Sequence, residues 1–187
     1  MRPLIISIFV LAVFTLANFN LPANADQGDK RLNVLFDLLQ ATQDPKEARS
    51  IEAGIWKIWI EGKNEKINQA MSRGISAMND GQYDTALDNF NEVIRLAPEF
   101  AEGWNKRATV FYLMRKYDHS VEDIAKTLRL EPRHYGALSG LGLINQALGN
   151  TGAAIRAFEQ ALKINPHLFA LKEKVRFMKK IYKGRET

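Results

Sequence analysis

Three histidines are the side chains in this sequence best suited to acid–base or metal chemistry. His119, His134 and His167 are too far apart in sequence for two of them to lie three or four residues apart on one helical face, as a helical metal site requires. The 187 residues include no cysteine, which excludes thiol catalysis, disulfides and cysteine-ligated metal. No phosphate-binding loop, dinucleotide fingerprint or nucleophile elbow is present either. We therefore expect no enzyme and no metal or other cofactor.

A proline instead recurs every 34 residues, each time closing an apolar run, at Pro98, Pro132 and Pro166. Two columns of small residues and one of bulky apolar residues have the same spacing. The first small column is Gly74, Ala108 and Gly142, the second is Ala86, Ser120 and Ala154, and the bulky column is Phe90, Ile124 and Phe158. Self-similarity at this period is typical of a helical repeat array.

The apolar spacing inside each copy predicts two amphipathic helices separated by a turn such as Asn79-Asp80-Gly81. We expect Asp84 and Asp118 to cap the second helices of the first two copies, and the prolines to end them. The small columns would let paired helices approach closely while the bulky column fills the space between them. Since one such pair cannot bury its own apolar face, stability would come from stacking.

In the third copy Leu141 and Gly142 are followed by Ala154, Phe158, Ala161 and Pro166. This pattern resembles the tetratricopeptide repeat. The resemblance implies an all-α fold, a right-handed helical solenoid of stacked antiparallel helix pairs with a C-terminal capping helix. The repeats would span 67–100, 101–134 and 135–168.

The resemblance also implies a function, because the first helices of such repeats line a concave groove that holds a protein or peptide. By register, ten residues would line that groove: Asn68, Met71, Ile75, Asn105, Lys106, Thr109, Tyr112, Ser139, Leu143 and Gln146. One subgroup of the family clamps a C-terminal carboxylate with paired basic and amide residues. Met71 and Ile75, and later Gly136 and Gly140, stand at those positions here, which argues against that clamp.

The N-terminal segment 1–25 has the pattern of a secretory signal peptide. Arg2 precedes an apolar core from Leu4 to Ala17, and Ala23-Asn24-Ala25 is a cleavage site of the A-x-A type. The core is shorter than the roughly 20 apolar residues of a membrane-spanning helix. We expect cleavage after Ala25, so that the mature chain begins at Asp26; an uncleaved anchor is the alternative.

Residues 26–64 are predicted to form a helical hairpin that resembles a degenerate repeat. Its second helix carries Trp56 and Trp59 three residues apart on an apolar face. These rings would most simply pack in the core or between repeats, since aromatic side chains dominate burial. An exposed aromatic ligand patch is the alternative.

Residues 169–187 are predicted to form a basic capping helix. Its basic positions are Lys172, Lys174, Arg176, Lys179, Lys180, Lys183 and Arg185. A solvated cap face explains this charge, which also suits a helix C-terminus. A weak contact with an anionic membrane is the alternative, and a nucleic-acid partner is not expected of an exported protein.

Together these patterns predict an exported, non-catalytic scaffold that binds a protein or peptide partner in its groove. The signal sequence fits the periplasm of a Gram-negative bacterium, and an extracellular destination remains open. The alternative is a membrane-associated envelope component that uses the basic C-terminal helix or a retained N-terminal anchor.

Overall fold

The structure is a computed structural model that describes residues 29–183, and the predicted signal segment 1–25 lies outside this range. Every regular element of the described range is an α-helix. The helices are α1 (Lys30–Ala41), α2 (Pro45–Ile60), α3 (Glu65–Asn79), α4 (Tyr83–Leu96), α5 (Ala101–Leu113), α6 (Tyr117–Leu130), α7 (Tyr135–Ala147), α8 (Thr151–Ile164) and α9 (Phe169–Lys183).

Three antiparallel pairs, α3/α4, α5/α6 and α7/α8, stack in chain order. Within the first pair, a Cβ atom at Gly74 would lie 2.6 Å from Cε1 of Phe90. A Cβ atom at Gly142 would meet the ring of Phe158 in the same way. Phe90, Ile124 and Phe158 are all buried. The prediction of an all-α solenoid of stacked pairs is therefore confirmed, and the small columns are needed because the bulky column fills the space opposite them.

The turn inside each pair has one residue with a left-handed backbone. Gly81 has φ 73°, Gly149 has φ 77° and Arg115 has φ 57°. These residues are 34 positions apart, so all three pairs use the same helix-ending turn. Only the second pair places a side chain with a Cβ atom in a conformation that glycine adopts at little cost.

The predicted caps Asp84 and Asp118 are wrong. The helices begin one residue earlier, at Tyr83 and Tyr117, and neither α4 nor α6 receives a side-chain cap hydrogen bond. Each aspartate lies instead in the first turn, where its negative charge favours the positive end of the helix dipole. Asn64 is a true cap, since its side chain accepts a hydrogen bond from the backbone N–H of Ile67 at 3.0 Å.

The N-terminal hairpin α1/α2 packs mainly on the later repeats. Its apolar face joins Tyr135 and Leu138 of α7 and Ala161 of α8 in one buried cluster. Gln40 of α1 donates hydrogen bonds to the last carbonyls of α8, at 2.9 Å to Lys163 and 2.5 Å to Ile164. The hairpin thus closes back across the solenoid, while only the end of α2, at Ile60, packs on the cluster of the first repeat.

Helix α9 stacks on the third pair as a further first helix would. Val175 lies in the cluster of Phe158 and Ala154 on α8. Arg176 follows Gly142 by 34 residues and so occupies the next position of the first small column. Its side chain is exposed and pairs with Glu173 at 2.5 Å. An arginine here leaves no room for a second helix to approach α9 as α8 approaches α7.

Candidate binding groove

The inner surface is formed by α3, α5 and α7, and two cavities open along it. A cavity of about 170 Å³ is lined by five of the predicted groove residues, with Ala108 and Gly140 at its floor. Those five are Asn105, Thr109, Tyr112, Ser139 and Leu143. Between α2 and α3 a second cavity of about 420 Å³ is lined by Asn68, Met71 and Ile75. Eight of the ten predicted residues therefore line cavities on this surface.

The polar groups of the groove are largely occupied within the chain. Thr109 donates its hydroxyl hydrogen to the Asn105 carbonyl at 2.9 Å, and Ser139 donates to the Tyr135 carbonyl at 2.8 Å. Gln146 accepts a hydrogen bond from Lys174 at 3.0 Å. What remains for a partner is mainly apolar and aromatic surface.

Two predicted groove residues are nearly inaccessible. Met71 is 1% exposed and Asn105 is 7% exposed. The Asn105 amide donates to Oε2 of Glu102 at 3.0 Å. Asn105 is therefore placed to support a buried carboxylate, and the partly exposed Ile75, Thr109, Tyr112, Ser139 and Leu143 form the accessible wall. We call these five residues the open groove.

A buried ion cluster at the N-terminal ends of α5 and α7 was not foreseen from the sequence. Glu102 and His134 are both 0% exposed and their side chains lie 2.8 Å apart. Lys106 lies 3.0 Å from the second carboxylate oxygen. A signal existed, because His134 shares the 34-residue column of Phe100 and Leu168. A polar residue in an apolar column needs a buried partner.

The hydrogen bonds of His134 define its tautomer. The backbone N–H of Ala137 donates to Nδ1 at 3.1 Å, so Nδ1 carries no proton. Nε2 must then carry the proton and donate it to Oε2 of Glu102. His134 is thus a neutral N-cap of α7 that also holds a buried carboxylate in place.

The pKa of Glu102 lies below its usual value. Burial on its own would raise that pKa, because a charged carboxylate loses its water. The hydrogen bond from His134 and the positive charge of Lys106 outweigh burial, so the carboxylate stays ionised.

Helix α2 fills the end of the inner surface next to this cluster. The Trp59 ring stacks on the His134 ring, with centroids 4.2 Å apart and planes 9° apart. Trp56 stands edge-on to Tyr135 at 5.8 Å, and Lys106 lies 5.5 Å from the centre of the Trp56 ring. Trp59 is 0% exposed. The tryptophans therefore pack as the simpler interpretation expects, and they cover this end of the groove.

Gly136 explains why the groove departs from the carboxylate-clamp pattern. A Cβ atom at this position would lie 2.9 Å from Cη2 of Trp56, so a lysine or arginine there would displace the hairpin. Lys106, the nearest cation, already pairs with Glu102. The end of the groove where a clamp would hold a carboxylate is filled by the chain's own helix.

A larger cavity of about 650 Å³ lies outside the groove, between α1 and the ends of α6, α7 and α8. Its strongest charge is Arg133, whose guanidinium lies 4.5 Å from the Phe36 ring centre and 3.1 Å from Glu131. Because this arginine is engaged on both sides, we assign the candidate site to the open groove instead.

Within residues 29–183, no three His, Asp or Glu side chains are grouped as a metal ion would require. None of the described helices combines the length and apolar character that a membrane crossing needs.

Comparisons with known proteins agree with this architecture. Two family profiles, both described as tetratricopeptide repeat, match residues 71–118 and 135–168. The second match covers the same range as the third predicted repeat. A TPR repeat-containing protein of Rhizobium etli is 36% identical over 165 residues, which are 88% of this chain and 81% of that protein. An alignment of that length must include part of the N-terminal hairpin.

Two solved structures show the same fold. The first TPR domain of Spaghetti (RPAP3), bound to the HSP90 peptide SRMEEVD, aligns with a TM-score of 0.59 at 20% identity. It covers 63% of this chain and 94% of that one. The crystal structure of MamA aligns with a TM-score of 0.58 at 17% identity, over 86% of this chain and 85% of that one. From the stacked helix pairs, the family profiles and the Rhizobium relative together, we conclude that the chain belongs to the tetratricopeptide repeat family.

Proposed function

We propose that the protein is an exported, non-catalytic scaffold that binds a segment of another protein in its open groove, in the bacterial periplasm. The observation that carries this proposal is the accessible wall of Ile75, Thr109, Tyr112, Ser139 and Leu143, which the rest of the described chain leaves uncovered. Concave, mainly apolar surfaces with a few polar groups are the usual form of a binding site. A structural relative carries an HSP90 peptide, which supports polypeptide as the kind of ligand.

The chemistry of the wall supports polypeptide recognition by shape and apolar contact. Tyr112 is partly exposed and offers a flat ring with a polar tip. Leu143 lies on the next first helix and lines the same cavity. Catalysis would need a nucleophile or base directed into this space, and its lining contains no acidic, basic or histidine side chain.

Site-specific photo-crosslinking in cells tests the groove. A photoreactive residue at position 112 or 143 is expected to crosslink to another polypeptide, while one at Arg95 on the exposed side of α4 is not. The double substitution Tyr112→Ala and Leu143→Ala should weaken capture of that polypeptide at least tenfold and leave the melting temperature nearly unchanged. Equal crosslinking at all three positions would contradict the proposal.

Localisation is tested separately. The mature protein is expected to begin at Asp26 by N-terminal sequencing and to be released by osmotic shock. An intact Met1, or pelleting with membranes after carbonate washing, would favour an envelope-anchored protein instead.

A further inference from the structure

Helix α9 continues the inner surface beyond the third repeat. Phe177 follows Leu143 by 34 residues, as Leu143 follows Thr109 and Thr109 follows Ile75. Lys174 of α9 donates to the side-chain oxygen of Gln146 on α7 at 3.0 Å, which joins the two helices along this face. The open groove therefore extends onto a fourth first helix.

The extension carries unusually exposed apolar side chains. Phe177 is 65% exposed and Ile181 is 41% exposed. They are four residues apart and so lie on one helical face. A terminal helix that served only as a cap would present polar residues to solvent. An exposed apolar pair beside a groove instead marks an interaction surface.

Positive charge surrounds this apolar pair. Lys174 bonds only to the neutral Gln146 side chain, and Lys180 forms no ion pair with any carboxylate of residues 29–183. The outer flank of α9 differs, because Arg176 pairs with Glu173 and Lys179 pairs with Glu159, both at 2.5 Å. The lysines that lack a carboxylate partner are thus the ones next to the groove.

We propose that the α7–α9 end of the groove docks an acidic amphipathic segment of a partner protein. Its apolar side chains would cover Leu143, Phe177 and Ile181, and its carboxylates would pair with Lys174 and Lys180. This inference rests on the proposed groove function and adds the chemistry of the ligand. A flat anionic membrane fits less well, because Leu143 lines a concave cavity that a planar surface does not enter, and much of the outer basic flank is already neutralised.

Selection from a random displayed peptide library tests the ligand chemistry. We expect the selected peptides to be enriched in Asp and Glu next to aromatic or aliphatic residues. For the best peptide, Phe177→Ala combined with Lys180→Glu should raise Kd at least tenfold. The matched control is Phe169→Ala combined with Lys172→Glu, on the same helix and equally solvent-facing, and it should change Kd less than twofold. Circular dichroism should show the same helix content for all variants.

The outcomes separate this inference from the function on which it rests. Peptides without acidic enrichment, or equal loss in both variants, would overturn the acidic docking surface even if crosslinking at Tyr112 succeeds. If neither selection nor crosslinking finds a polypeptide, both proposals fail together. Binding to vesicles with about 30% anionic lipid that depends on Phe177 and Lys180, in the absence of such peptides, would replace the partner protein with a membrane surface.

Discussion

Trp59 of the N-terminal hairpin stacks face to face on His134, with ring centroids 4.2 Å apart. His134 in turn caps α7 and holds Glu102 of α5. One ring contact therefore links the hairpin, the second repeat and the third repeat. The hairpin is part of the inner wall of the solenoid, and the accessible groove is only what this wall leaves open.

Replacing Trp59 with alanine should destabilise the whole repeat array. Loss of a fully buried tryptophan leaves a large cavity, which costs about 3–5 kcal/mol. We expect a clear fall in the denaturant midpoint measured by circular dichroism. Val34→Ala, at an exposed position of the same hairpin, should change stability by less than about 0.5 kcal/mol. A Trp59 variant as stable as that control would show that the hairpin is not joined to the array.

The pairing of small and bulky columns predicts a coupled pair of substitutions. Gly74→Ala places a Cβ atom against Phe90 and should cost about 1–3 kcal/mol by overpacking. The second repeat carries Ala108 and Ile124 at the same two positions. Adding Phe90→Ile to Gly74→Ala should therefore be less costly than the sum of the single changes, by about 1 kcal/mol in a double-mutant cycle. Strict additivity would contradict the packing role of the columns.

Glu102 should make stability depend on pH. Because its pKa is lowered on folding, its ionised form stabilises the protein above the ordinary value of 4.5, and this contribution is lost as pH falls through the folded-state pKa. Glu102→Gln removes the charge but keeps an acceptor for His134. The free energy of unfolding should fall more steeply from pH 5 to pH 3 in the original protein than in this variant. Parallel curves would assign the acid sensitivity to other carboxylates.

Arg115→Gly should stabilise the second repeat. A left-handed residue with a Cβ atom costs about 1 kcal/mol more than glycine. Relief of that cost should raise the melting temperature by a few degrees. The reverse change at the matching turn, Gly81→Arg, should lower it by a similar amount. If both substitutions shift the melting temperature in the same direction, turn conformation is not the cause.

Much of the fold followed from the 34-residue period, because stacked pairs impose the same small and bulky residues at each step. The cap predictions at Asp84 and Asp118 failed because residue type alone does not show where a helix begins. The position of the hairpin was also beyond sequence reasoning. Trp56 and Trp59 indicate burial, but their contacts with Gly136 and His134 join residues far apart in the chain. The shape of the accessible groove depends on those long-range contacts.

Arg176 has a consequence for how such a protein can grow. Duplicating a 34-residue unit anywhere before this position would lengthen the array, because each new pair would find a small residue facing it. Copying material after it would give helices that cannot seat on α9. A change from Arg176 to glycine would remove that barrier and expose a face suited to head-to-tail contact between molecules, which, unless it closes into a ring, leads to open filaments.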